Sequence, residues 1–121
     1  MKARYIQAGN VIDFVPAQDV NAGEVVRLGN IVGVTSLPTA AGTLGGLAVN
    51  GVFEIEKKPV TVFSTGDRVF WNFTSGQAEM SGDVVLGFAV KTTSAGTAKV
   101  IVLLNAASTV PEDVSIEWKT L

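Results

Sequence analysis

The sequence predicts an all-β protein: a small jelly-roll or barrel-like β-sandwich of about nine or ten short strands, with extended amino- and carboxyl-terminal arms. Three observations carry this. Nineteen valines and thirteen glycines among 121 residues favour strands punctuated by tight turns. Apolar and polar residues alternate with period two in several stretches, and none shows a convincing amphipathic helical period. A glycine-acid-x-valine opening also recurs three times, as Gly23-Glu24-Val25-Val26, Gly66-Asp67-Arg68-Val69 and Gly82-Asp83-Val84-Val85. In each, a glycine able to take positive φ and an acidic turn residue launch a strand. The recurrence suggests two related halves.

Taken in order, residues 5–14 suit a first strand kinked at Gly9-Asn10, with residues 10–15 extended and stopped by Pro16. Residues 21–24 form the first turn and 25–28 its strand. Gly29-Asn30 then links to residues 31–35 as a hairpin. Residues 36–46, with Pro38 and several glycines, are loop. Residues 47–57 read as one strand, with Val49, Gly51, Phe53 and Ile55 facing the core and Asn50, Val52, Glu54 and Glu56 facing solvent. Residues 59–63 continue as a short strand into the turn at Gly66-Asp67. In the strand that follows, Val69 and Trp71 point to one face and Arg68, Phe70 and Asn72 to the other. A turn at residues 74–77 returns the chain through Ala78-Glu79-Met80. Residues 84–92 and 99–104, joined by a loop at 94–97, are apolar on both faces, as strands lying centrally or under a subunit interface are.

The expected organisation is one domain over residues 1–105, of a length that buries a single modest core. Residues 106–113, small and polar with Pro111, read as linker. Residues 114–119 alternate between apolar and polar side chains and carry Trp118. They are either an arm for strand addition to another chain or a strand folded back on its own sheet.

Charge and composition exclude several classes. Nine basic and eleven acidic residues leave a net charge of −2, without the clustered lysines and arginines that displace counterions from nucleic acid. The one adjacent basic pair, Lys57-Lys58, reads as a solvated turn. The chain contains no cysteine, which removes disulfides and thiolate ligands, and no histidine. The first residues lack the apolar core of a signal peptide, and no apolar run approaches the roughly 20 residues of a membrane helix. Only 17% of residues are charged while mean hydropathy is +0.38, a balance that fits a surface partly buried against other subunits.

Candidate chemistry is thin. Without His or Cys the usual general base and the strongest nucleophile are missing. Glu54 and Glu56 lie about 7 Å apart on one strand face, within the glycosidase range, but any solvated alternating strand has such pairs. Gly42-Thr43-Leu44-Gly45-Gly46 lacks the lysine and following helix of a phosphate loop. Glu24, Asp67 and Asp83 are lone turn acids rather than a calcium loop. Trp71 is expected in the core with Val69, since opposite-facing Phe70 cannot join it in one stacking platform. No cofactor or metal is expected.

Several stretches in order resemble the tailed-phage capsid cement, or head decoration, proteins of the small glycine- and valine-rich type. They are Tyr5-Ile6-Gln7-Ala8-Gly9-Asn10, Asn21-Ala22-Gly23-Glu24-Val25-Val26, Ile31-Val32-Gly33-Val34, Gly51-Val52-Phe53-Glu54-Ile55, Gly66-Asp67-Arg68-Val69-Phe70-Trp71, Leu86-Gly87-Phe88-Ala89-Val90 and Val100-Ile101-Val102-Leu103. The resemblance spans residues 1–105, and residues 106–121 depart from it. It implies a structural virion protein that docks on the outer surface of the expanded capsid and cements neighbouring major capsid protein subunits. It further implies a homo-oligomer, a trimer favoured over a dimer, with no nucleic acid or membrane partner. On that reading Lys2, Arg4, Tyr5 and Ile6 form a basic-apolar docking strip, and Ile116, Trp118 and Leu121 anchor the carboxyl arm. The alternative is a virion surface module that contacts a receptor or glycan, whose sign would be aromatics exposed on one sheet.

Overall fold

Valine-rich segments separated by glycine turns form nine strands and no helix among the described residues, which in this computed structural model are 2–82 and 84–105. The first sheet holds β1 (Val11–Phe14), β2 (Val25–Leu28), β3 (Ile31–Thr35) and β4 (Gly45–Ala48) in the order β1-β4-β3-β2. The second holds β5 (Val52–Glu56), β6 (Arg68–Asn72), β7 (Gln77–Glu79), β8 (Val84–Ala89) and β9 (Lys99–Leu104) in the order β5-β9-β8-β6-β7. All these pairings are antiparallel. The apolar strands β8 and β9 are central, as their two-faced hydrophobicity requires.

The sheets form a small β-sandwich over one core. Val32 and Val34 of the first sheet pack with Ile55, Val69, Ala78, Leu86, Val100, Val102 and Leu104 of the second. Trp71 packs against this cluster from a half-buried position on the same strand face as Val69. The second sheet curls until its two edges meet, where a parallel bridge joins Lys57, just after β5, to Ala78 of β7. That single bridge makes the second sheet barrel-like, with its two end strands meeting at one point.

Several expectations change. Residues 36–46 are not all loop, since Gly45 and Gly46 open β4 and pair with Phe14 and Asp13. Residues 47–57 are not one strand: the chain leaves the first sheet at Ala48 and enters the second at Val52, turning at Gly51 with φ 118°. A change of sheet leaves a period-two pattern intact, so the alternation reads straight through the break. Within β5 the expected faces hold, with Ile55 buried and Val52, Glu54 and Glu56 exposed. Residues 59–63 form no strand, because Pro59 has no donor and Thr61 N–H closes a turn on the Lys58 carbonyl. Phe63 is nonetheless fully buried, its N–H donating to Thr93 Oγ1 and its carbonyl accepting from Thr93 N–H. Residues 2–8 carry no regular structure, so regular pairing starts only at Val11.

A further change concerns Lys57, which is not solvated. It is 1% exposed, and its ammonium faces the carbonyls of Thr61 at 2.7 Å and Thr97 at 2.6 Å, with those of Lys58, Pro59 and Ser94 at 3.3–3.5 Å. Backbone dipoles rather than a carboxylate stabilise this buried cation. The charge thereby ties the loop after β5 to the loop between β8 and β9. Lys58 beside it stays exposed, as expected.

Two of the three glycine-acid openings are the same device. Gly23 N–H donates to the Thr35 carbonyl and Thr35 N–H to the Glu24 carbonyl; Gly66 N–H donates to the Ala89 carbonyl and Ala89 N–H to the Asp67 carbonyl. Each is a bulge in which two residues oppose one, with the glycine at φ 77° or 93°. The side chain of Asp67 accepts from Ser64 N–H, the turn-capping role expected of it. The third opening differs. Gly82 lacks positive φ, and a Cβ there would lie 2.8 Å from the Trp71 carbonyl, so close backbone approach selects that glycine. Asp83 lies outside the described residues.

Candidate docking surfaces

Residues 2–8 run along no neighbouring strand, and every side chain in the segment is exposed. Tyr5 is 81% and Ile6 70% exposed, beside exposed Lys2 and Arg4. The four expected amino-terminal residues are thus all exposed, ahead of β1. Ile116, Trp118 and Leu121 lie outside the described residues.

The strip leads into a sheet edge. β1 ends the first sheet, and Val49 N–H donates to the Asn10 carbonyl at 2.9 Å. Strand alternation then turns the backbone groups of Ile12 and Phe14 toward β4 and those of Val11 and Asp13 outward. Beside this edge lies a groove of about 390 Å³, bounded by Val11, Asp13, Leu37, Leu44 and Gly46. Leu37 is 71% and Leu44 69% exposed. A Cβ on Gly46 would come within 3.1 Å of Val11 Cγ1, so the glycine keeps the floor of the groove open.

A second surface crosses the outside of the curled sheet. Val52 pairs with Leu103, Leu103 with Phe88, and Phe88 with Arg68, which puts four side chains in one cross-strand row. The Arg68 guanidinium carbon sits 5.9 Å from the centre of the Phe88 ring, a cation–π distance. Phe70 lies on the same face, half-buried, opposite exposed Val85. Neither the groove nor this row was among the expected interaction residues. The available signal for the groove was two leucines in an otherwise small-residue loop. For the row it was the apolar outward faces of β8 and β9.

Glu54 and Glu56 are both exposed, and Glu56 lies 3.6 Å from Lys99 in a solvent-facing ion pair that contributes little. Among the described residues no group of three His, Cys, Asp or Glu is placed to hold a metal ion.

Comparison with curated proteins and with solved structures returned no match. A model of one protein family matches residues 6–104, which includes every strand of both sheets and Ile6 but not Lys2, Arg4 or Tyr5. That family is described as phage cement protein. With the match spanning most of the chain and both sheets of the sandwich, the chain belongs to the phage cement protein family.

Proposed function

We propose that the protein binds the outer surface of the expanded phage capsid and cements neighbouring major capsid protein subunits, stabilising the head against internal DNA pressure. Family membership over residues 6–104 is the observation that carries this reading. The exposed strip of Lys2, Arg4, Tyr5 and Ile6 supports it, because an unpaired basic-apolar segment next to a sheet edge suits docking on an acidic shell by strand addition. The domain that does the work is residues 1–105, with residues 106–121 as linker and arm.

Cementing needs no bond-making chemistry, and a chain without His or Cys fits it. It acts by binding the mature lattice better than the immature one, so that each bound copy shifts that equilibrium. Modest contacts suffice when copies associate, since linked sites raise one another's effective concentration. The associated form on this reading is a homo-oligomer, a trimer in preference to a dimer, made in the host cytoplasm and placed on the virion exterior.

A receptor- or glycan-contacting module is the second reading. Phe70 and Phe88 on the outer face of the second sheet favour it. The test is to heat or osmotically shock particles assembled with and without the protein, and to measure its binding to expanded and unexpanded shells. Cementing predicts longer survival of decorated heads and preferential binding to expanded shells. Equal survival refutes it.

A further inference from the structure

The outer edge of β1 has a definite chemistry. Val11 and Asp13 turn their backbone N–H and C=O groups outward, and no strand among the described residues pairs with that side. Val11 is 46% exposed, and exposed Asp13 shares its face, beside the groove bounded by Leu37 and Leu44. An added strand that matches this edge carries a basic residue across from Asp13 and an apolar one across from Val11. A second β1 does not match it. Pairing Val11 of each copy with Asp13 of the other sets the two carboxylates on one face within about 8 Å. Asp13 therefore opposes direct edge-to-edge pairing.

The molecule carries one segment that does match. Residues 2–8 are exposed throughout, and among the described residues no hydrogen bond ties them to β1 of their own chain. Laid antiparallel to β1 with Arg4 across from Asp13, the segment sets Ile6 across from Val11, Tyr5 across from Ile12 and Ala3 across from Phe14. Arg4 and Ile6 then share the face of Asp13 and Val11, with Ile6 beside Leu37 and Leu44. Tyr5 covers half-buried Ile12 on the other face, an aromatic against a β-branched side chain. A slip of one residue sends Arg4 to the wrong face, so the charge pair fixes the register.

We propose that residues 2–8 of one copy add as an antiparallel strand to the outer edge of β1 in a second copy, with Arg4 against Asp13 and Ile6 in the groove. A two-fold pair satisfies the exchange, each copy giving and taking one segment, and so does a closed ring in which each segment passes to the next copy. Either closure covers every β1 edge and so keeps it from pairing at random. The inference rests on the association of copies under the proposed function, and it describes the free protein. A shell edge that takes the segment competes for it with the neighbouring copy.

The test uses the full chain in solution, without shells. Wild type should associate in sedimentation runs across the micromolar range. Asp13→Lys should weaken association about tenfold, and Lys2→Glu with Arg4→Glu should do the same, because each sets like charges across the junction. The triple variant carrying all three changes should recover association, since its charges are again opposite. A monomeric wild type overturns the inference and the association of copies together. Undiminished association in both charge variants, or no recovery in the triple variant, overturns the inference alone and moves the contact between copies to another surface. The absence of cysteine allows a second measurement. Tyr5 and Ile12 face each other as a non-hydrogen-bonded pair, with Cα atoms about 4.5 Å apart, within disulfide reach. Chains carrying Tyr5→Cys are mixed with chains carrying Ile12→Cys, oxidised and run on a non-reducing gel. The mixture should form covalent dimers about tenfold faster than either variant alone. Equal rates overturn the proposal.

Discussion

The two sheets of this sandwich divide its work unequally. The second closes on itself, contributes most of the shared core, and holds the fully buried Phe63, Val69, Leu86 and Val102 within or against it. Its loops are tied by a buried ammonium ringed with carbonyls. The first contributes Val32 and Val34 to that core but leaves β1 open, with exposed leucines beside it and an unpaired basic-apolar strip ahead of it. On the proposed function, the difference teaches that stability and adhesion are placed in separate sheets. A particle component of this kind must resist unfolding while presenting backbone and apolar surface, and one sheet cannot do both without inviting aggregation.

The largest effects should therefore fall in the second sheet. Phe63→Ala removes a fully buried ring from the shared core and should cost about 3–5 kcal/mol in a denaturant titration. A loss below 1 kcal/mol would mean that the core can collapse around the gap and that the second sheet is not the stability unit. Next comes Lys57→Met, which keeps most of the buried hydrocarbon but strands the carbonyls of Thr61 and Thr97 without a donor. The expected cost is about 2–3 kcal/mol. Hydrogen exchange should loosen at residues 58–61 and 94–97 and spare the first sheet; a uniform change would refute the tying role.

Lys57 also marks what sequence reasoning reaches and what it misses. Two adjacent lysines after an alternating strand look like a solvated end, and nothing local distinguishes them. Three of its five carbonyl partners lie within four residues, but the loop that covers it from the other side supplies those of Ser94 and Thr97, about forty residues on. By contrast, the all-β class, the Gly29-Asn30 hairpin, the central place of β8 and β9 and the inward face of Val69 follow from local rules of period and turn chemistry. The break at residues 49–51 was hidden because alternation carries no information about which sheet a strand joins. The exposure of Lys2, Arg4, Tyr5 and Ile6 was visible in sequence as residues with nothing to bury them. The groove was not, because Leu37, Leu44 and Val11 are brought together by the pairing of β4 with both β1 and β3.

The twin bulges allow a direct comparison between the sheets. Gly23→Ala and Gly66→Ala each force a Cβ into the left-handed region, where the local penalty is about 1–2 kcal/mol. No heavy atom lies within 4 Å of the added Cβ at either site, so conformational strain alone should set both values. Matching losses in thermal unfolding would sharpen the view of one device used twice. A much larger loss at Gly66 would show that the closed sheet amplifies local strain.

The smallest effect on stability should come from the strip, and there the contrast between the sheets is tested most directly. Lys2→Glu with Arg4→Glu alters exposed side chains outside both sheets, and the unfolding free energy should move by less than about 0.5 kcal/mol. Docking should respond instead. Reversing two rim charges slows electrostatically guided encounter and weakens a contact whose strength falls with salt. Co-sedimentation with expanded shells at low salt should show a loss of about tenfold, equivalent to about 1.4 kcal/mol, and the gap to wild type should narrow as salt rises. Undiminished binding would move the contact from the strip to the groove or to the Val52–Leu103–Phe88–Arg68 row. Adhesion would then belong partly to the sheet assigned here to stability, and the division between the two would fail.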